Sequence, residues 1–241
     1  MSSSAKRPVQ ASIARIPYAP TLVFLVVLGL YIVAIPFVVD LPAGQLINTA
    51  LLTLVMLSGL LVIQARRATL VLAMLLVVPG VVARWINHYR PESMPAAVHL
   101  SFAILFLLLV AVQFLQFILR APRVTAQVLE AGISTYLVFG LLWTMAYMII
   151  GQLIPGAFAF SAPDHSMTAF DALYFSFVTL TTMGYGDIVP VSRAARMLAI
   201  MEATTGVIYI SVLIARLVGL YSMVTPIPGE NDKDPSRRAD G

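Results

Sequence analysis

The chain has 241 residues, 60% of them hydrophobic and 11% charged, and its mean hydropathy of +0.92 excludes an ordinary soluble globular domain. A net charge of +4 and a pI near 9.6 do not point to nucleic acid, because the basic residues fall in short clusters between apolar runs rather than along one face. The absence of cysteine excludes disulfides and thiolate metal sites, and the composition is that of an integral membrane protein.

Residues 1–19 carry Lys6, Arg7 and Arg15 and read as a cytoplasmic N-terminal segment that is drawn to anionic lipid or simply orients the first helix. The first apolar run has full membrane length and no clear cleavage pattern, so a retained helix is expected rather than a removed signal. Uncharged runs lie at residues 20–39, 46–64, 68–83 and 96–119. A spanning helix needs about 20 apolar residues, which makes the third run short. Pro79 and Gly80 are expected to kink it, and Arg84 and Trp85 to snorkel to the interface and extend it. Asn48, His99, Gln113 and Gln116 are expected to be interhelical hydrogen bonders. His88 and His165 are placed in outer loops. The fourth run contains no Lys or Arg, whereas a voltage-sensing helix carries a basic residue at every third position. Residues 20–123 therefore read as a peripheral four-helix transmembrane domain lacking voltage-sensor arginines.

A fifth run covers residues 127–153 and a sixth covers 193–221, and between them lies AFDALYFSFVTLTTMGYGDIVP, residues 169–190. Thr168 and Asp171 have capping-box spacing, so a short amphipathic helix should begin there. That helix is too brief to cross a bilayer, and its C-terminal end near Thr181 presents the negative pole of its dipole. An extended Thr182-Met183-Gly184-Tyr185-Gly186-Asp187 segment follows. Glycine visits positive φ as readily as negative, so Gly184 and Gly186 allow successive carbonyls to point the same way, which an ordinary strand forbids. Rings of such carbonyls about an axis replace the hydration shell of a potassium ion.

TTMGYGD resembles the potassium channel signature, with Met183 where Val or Ile is usual. FVTLTTMGYGDIVPVS followed by RMLAIMEATTG is similar to bacterial channels of the two-helix pore superfamily. The resemblance implies an all-α membrane protein with six transmembrane helices and a homotetrameric pore. A re-entrant pore helix and selectivity filter would lie between helices five and six. In that reading Thr182, Met183, Gly184, Tyr185 and Gly186 form the filter, and K+ binds at Thr182, Met183, Gly184 and Tyr185. No other cofactor is implied. Tyr174 and Phe175 brace the filter as an aromatic cuff, Thr181 supports its base, and Asp187 hydrogen-bonds behind its outer mouth. Gly206 falls at the inner-helix hinge, and Val207, Ile210 and Ile214 face the cavity. Val178 stands where many relatives carry a glutamate. Arg216 is expected to snorkel to headgroups.

Glu202 sits at membrane depth, where a carboxylate is costly and usually functional. Two readings of it stand side by side: a filter support bonded to Ser176 or Thr179, or a cavity-facing charge. Residues 124–221 form the expected pore domain, and 222–241 a disordered cytoplasmic tail. Lys6, Arg7, Arg15, Arg66, Arg67, Arg120, Arg123, Lys233, Arg237 and Arg238 then lie inside, against Arg84, Arg90, Arg193 and Arg196 outside, which agrees with both termini being cytoplasmic.

The expected function is passive, potassium-selective conduction by a homotetramer in the lipid bilayer of a plasma membrane, a bacterial inner one. Alternatives are a weakly selective cation channel with the same pore and a potassium uptake subunit. A secondary transporter would need inverted repeats or further broken helices, and no cluster of enzymatic character is visible.

Overall fold

The computed structural model describes residues 18–39, 41–63, 67–90, 95–161 and 167–222. The basic segment before residue 18, His165 and the tail after residue 222 lie outside the described residues. In chain order the elements are α1 (Tyr18–Val38), α2 (Gly44–Val62), α3 (Arg67–Tyr89), α4 (Ala96–Arg120), α5 (Ala126–Leu153), β1 (Phe158–Phe160), α6 (Ala169–Leu180), β2 (Ile188–Pro190) and α7 (Arg193–Ser222). All the helices except α6 are long and apolar enough to cross a membrane, six in number among the described residues. The chain is a multi-pass membrane protein.

Local chemistry sets several boundaries. Ala121 precedes Pro122, and the residue before a proline is pushed out of the helical region, so α4 stops at Arg120. Thr125 then starts α5, its hydroxyl accepting from the Val128 amide at 3.4 Å.

The four leading helices pack as a bundle on the side of α5. α1 lies against α2 and α5, α3 against α2 and α4, and α4 against α5, while α6 sits between α5 and α7. Phe24, Leu52, Met56, Phe106, Val110 and Phe114 form the centre of the apolar core, with the Phe24 and Phe114 rings 5.6 Å apart. α4, whose one Lys or Arg is Arg120 at its C-terminal end, is thus a central packing helix.

α3 runs through Pro79 to Tyr89, past the 68–83 run as expected, with the Gly80 backbone close against Phe102 of α4 and Met56 of α2. One expectation is corrected here. Trp85 does not snorkel, since its indole N–H donates to Thr53 Oγ1 of α2 at 3.3 Å. Beside the helices the described residues hold one short ribbon. β1 and β2 pair antiparallel with Phe158 opposite Pro190, Ala159 opposite Val189 and Phe160 opposite Ile188. This ribbon ties the segment entering α6 to the segment leaving the 182–187 stretch, and Val191 and Ser192 amides donate to the Ala157 carbonyl at its end.

Candidate functional site

α6 begins with the full reciprocal cap. The Thr168 hydroxyl accepts from the Asp171 amide at 3.1 Å, and Asp171 Oδ2 accepts from the Thr168 amide at 2.8 Å. The helix spans 12 residues, about 18 Å at 1.5 Å per residue, and ends where Thr181 turns its hydroxyl back to the Phe177 carbonyl at 2.7 Å.

The chain then leaves the helix in a distinctive backbone pattern. Thr182, Gly184 and Gly186 have φ of 57°, 57° and 81°. Positive φ at alternate positions removes the strand-like alternation of carbonyls. The glycines adopt it at little cost, whereas Thr182, a β-branched residue, carries strain of about 1–3 kcal/mol. Its amide is held by the Thr179 carbonyl at 2.9 Å, and the Met183 and Gly184 amides both reach the Val178 carbonyl, at 2.9 and 3.3 Å. The N–H groups therefore turn back onto α6. Residues 182–186 are exposed in the single chain, with Met183 at 57% and Tyr185 at 65%.

The support behind this segment divides between two faces of α6. Tyr174 stacks on Tyr185 with centroids 6.5 Å apart and planes 6° from parallel. Its phenol is pushed up to about 12, chiefly by its hydrogen bond with the Asp187 carboxylate. Asp187 also accepts from the Ile188 amide at 3.1 Å, and its carbonyl takes the Ser161 amide at 3.1 Å. Phe175 does not join this group. Adjacent positions on a helix point about 100° apart, so Phe175 faces away from the 182–187 segment. It packs edge-on against Tyr147 at 4.8 Å and lies 5.5 Å from Phe158. Its place is in the apolar cluster under the β-ribbon.

Glu202 of α7 is fully buried and faces α6 and α5, so the cavity-facing reading of it is overturned. Ser176 Oγ lies 2.6 Å from Glu202 Oε1, and the Tyr147 hydroxyl donates to Oε2 at 2.5 Å. Ser176 also reaches the Gly140 carbonyl at 2.7 Å. One carboxyl group thus joins α5, α6 and α7. Ser176 was foreseen as a partner, while Thr179 is not one. Tyr147, 55 positions away in sequence, was missed, and no local pattern marks it.

α7 runs unbroken through Gly206. A Cβ at that position would run into the Leu180 carbonyl oxygen and come within 3.0 Å of Leu180 Cδ1, so the glycine brings the backbone of α7 onto the C-terminal end of α6. One turn on, the Tyr209 hydroxyl donates to the Gly132 carbonyl at 2.7 Å. Val207, Ile210 and Ile214 are exposed in the single chain. Arg216 does not snorkel: its Nη2 donates to the Leu119 and Ala121 carbonyls, both at 2.9 Å, filling acceptors left open at the end of α4. No group of three or more His, Asp or Glu able to hold a metal ion occurs among the described residues.

Residues 135–222 match a family model described as an ion channel, a stretch that takes in part of α5, all of α6, the 182–187 segment and α7. Two-pore potassium channel 4 of Arabidopsis thaliana is 36% identical over 86 residues, 35% of this chain and 30% of the relative. Two pore potassium channel c of Oryza sativa subsp. japonica is 39% identical over 82 residues, 32% of this chain and 18% of the relative. A voltage-gated potassium channel of Aeropyrum pernix is 31% identical over 91 residues, 35% of this chain and 31% of the relative. The matched stretch spans less than a third of the length of these relatives. No solved structure matches. The part of the chain that builds the candidate site is thus the part similar to ion channels.

Proposed function

We infer that the chain is a potassium channel subunit and that four copies surround a pore lined by residues 182–186. The carrying observation is the alternation of positive φ at Thr182, Gly184 and Gly186 on a capped short helix between two spanning helices. The match to the ion channel family and the potassium channels among its relatives support a potassium channel function. One such segment supplies one carbonyl per ring, and a coordination cage for a dehydrated potassium ion takes four. K+ is then held by the carbonyls of Thr182, Met183, Gly184 and Tyr185, with the Thr182 hydroxyl at the inner end. Because the ligands are main-chain atoms, Met183 in place of a β-branched residue leaves them in place. The proposed orientation puts both termini in the cytoplasm of a bacterial cell and the β-ribbon at the outer face. The reaction is passive conduction, not catalysis.

Proteoliposomes loaded with potassium test this. The wild-type chain should pass potassium far faster than sodium, without a coupled ion, and barium should block it. Gly184→Ala should abolish the flux, because a side chain at φ +57° costs about 1–2 kcal/mol in each subunit. Nothing within 4 Å would obstruct that Cβ, so the helices should stay folded. A saturating, ion-coupled flux, or full potassium selectivity in Gly184→Ala, would refute the assignment.

A further inference from the structure

At the same end of the bundle as the β-ribbon, the four leading helices leave a cavity of about 380 Å³. Its polar lining comes from Gln45, Asn48 and Thr49 of α2, Arg84, Asn87 and His88 of α3, and His99 of α4, and its floor reaches Met148 of α5 and Ala169 at the start of α6. Three helices each contribute a buried polar atom with no hydrogen-bond partner among the described residues: Asn48 Oδ1, Arg84 Nε and His99 Nδ1. These atoms are not the interhelical bonds or the snorkelling cation expected of Asn48, His99 and Arg84. His99 is only 7% exposed.

A buried orphan polar atom costs about 1–3 kcal/mol, and three from separate helices around one opening mark a place where something polar belongs. Arg84 supplies a fixed positive charge, and no carboxylate occurs among the described lining residues. An anion is the ligand that complements this lining. A guanidinium whose Nε–H is open binds an oxyanion side-on through two parallel hydrogen bonds. His99 Nδ1, protonated in one neutral tautomer, donates a third. Asn48 Oδ1 accepts, so the ligand must also bring a hydrogen-bond donor, which an O–H supplies. Anionic oxygens together with a hydroxyl describe dihydrogen phosphate, or a phosphodiester headgroup bearing a free hydroxyl.

We propose that this cavity is a binding site for a phosphate group carrying or accompanied by a hydroxyl, held by Arg84, His99 and Asn48. The site is separate from the 182–187 segment and does not rest on the potassium reading. Two sources share this chemistry: free phosphate in solution and the headgroup of a lipid such as phosphatidylglycerol.

The purified full chain separates them. Its melting temperature is followed while inorganic phosphate is titrated at constant ionic strength against chloride, in neutral detergent. In parallel, the chain is placed in nanodiscs of phosphatidylcholine with and without phosphatidylglycerol, and retained lipid is read by native mass spectrometry. Stabilisation by phosphate alone identifies the free anion, and stabilisation with lipid retention only in phosphatidylglycerol identifies the headgroup. In either case Arg84→Gln should weaken the effect about tenfold or more, and Arg84→Lys should restore it only in part. Should Arg84→Gln fail to fold, Asn48→Leu, which keeps the cation, is expected to weaken binding in the same assay. A flat response of the wild-type chain to both probes means that water or a carboxylate of this chain already serves Arg84, and overturns the proposal. Undiminished binding in Arg84→Gln, or in Asn48→Leu where that variant is the one tested, does so equally.

Discussion

Replacing Glu202 by leucine tests the junction of α5, α6 and α7 most directly. In the wild-type chain both carboxyl oxygens are engaged, at 2.6 Å from Ser176 and 2.5 Å from Tyr147. Leucine removes both contacts, and the two neighbours fare differently. Ser176 keeps the Gly140 carbonyl, but the Tyr147 hydroxyl, on a fully buried residue, is left without an acceptor. That costs about 1–3 kcal/mol, or roughly 2–12 °C of melting temperature for a chain of this size. Glutamine is the informative control, because its amide offers N–H to Ser176 and C=O to Tyr147, so it should melt within about 1 kcal/mol of the wild type. Tryptophan fluorescence is a suitable probe, since the Trp143 ring lies 6.5 Å from Tyr147. Potassium flux should fall with leucine and persist with glutamine, and block by internal cations should be the same for glutamine and wild type. Equal melting of Glu202→Leu and wild type would refute the reasoning, as would weakened internal block in Glu202→Gln, which only a cavity-facing carboxylate explains.

Gly206→Ala should cost about 1–3 kcal/mol by forcing α7 away from the Leu180 carbonyl and should reduce flux. Gly219→Ala, with nothing within 4 Å of its Cβ, should be neutral or slightly stabilising by helix propensity; equal melting of the two variants would count against close approach as the role of Gly206. Arg216→Ala removes two hydrogen bonds to the end of α4, so amide exchange at Ala121 and the last turn of α4 should speed up, with no change near α6. The Tyr174 phenol is pushed up to about 12 by its bond with Asp187, so its contribution is complete below its ordinary value of about 10 and is lost as pH rises through about 12. Flux through the wild type should accordingly stay level from neutral pH to about 10, and a Tyr174→Phe chain should lose activity at neutral pH; a wild-type decline centred near pH 8 would contradict this.

The part of the molecule legible in the residues is the part set by local chemistry. Six apolar runs announce six helices because the bilayer demands length and hydropathy from each span separately. Thr168 and Asp171 announce the start of α6 because a cap needs only residues three apart. Gly184 and Gly186 announce the unusual backbone because positive φ is a property of single residues. Thr182 escaped the same logic, since its positive φ is imposed by hydrogen bonds to α6 against its own preference. Phe175 was misplaced because an aromatic pair in sequence is two directions on a helix. The Tyr147–Glu202–Ser176 junction, the reach of Arg216 over 97 positions to Leu119 and the pairing of residues 158–160 with 188–190 depend on how whole helices slide and rotate against one another. The same holds for the polar cavity around Arg84, where apolar helices that read as plain spans bring three solitary polar residues together. Hydropathy and spacing determined which segments are long and apolar enough to cross the membrane and where the short capped helix begins. Tertiary packing alone decided which buried polar groups meet, because such meetings are set by helix register over long separations and leave no trace in any local period.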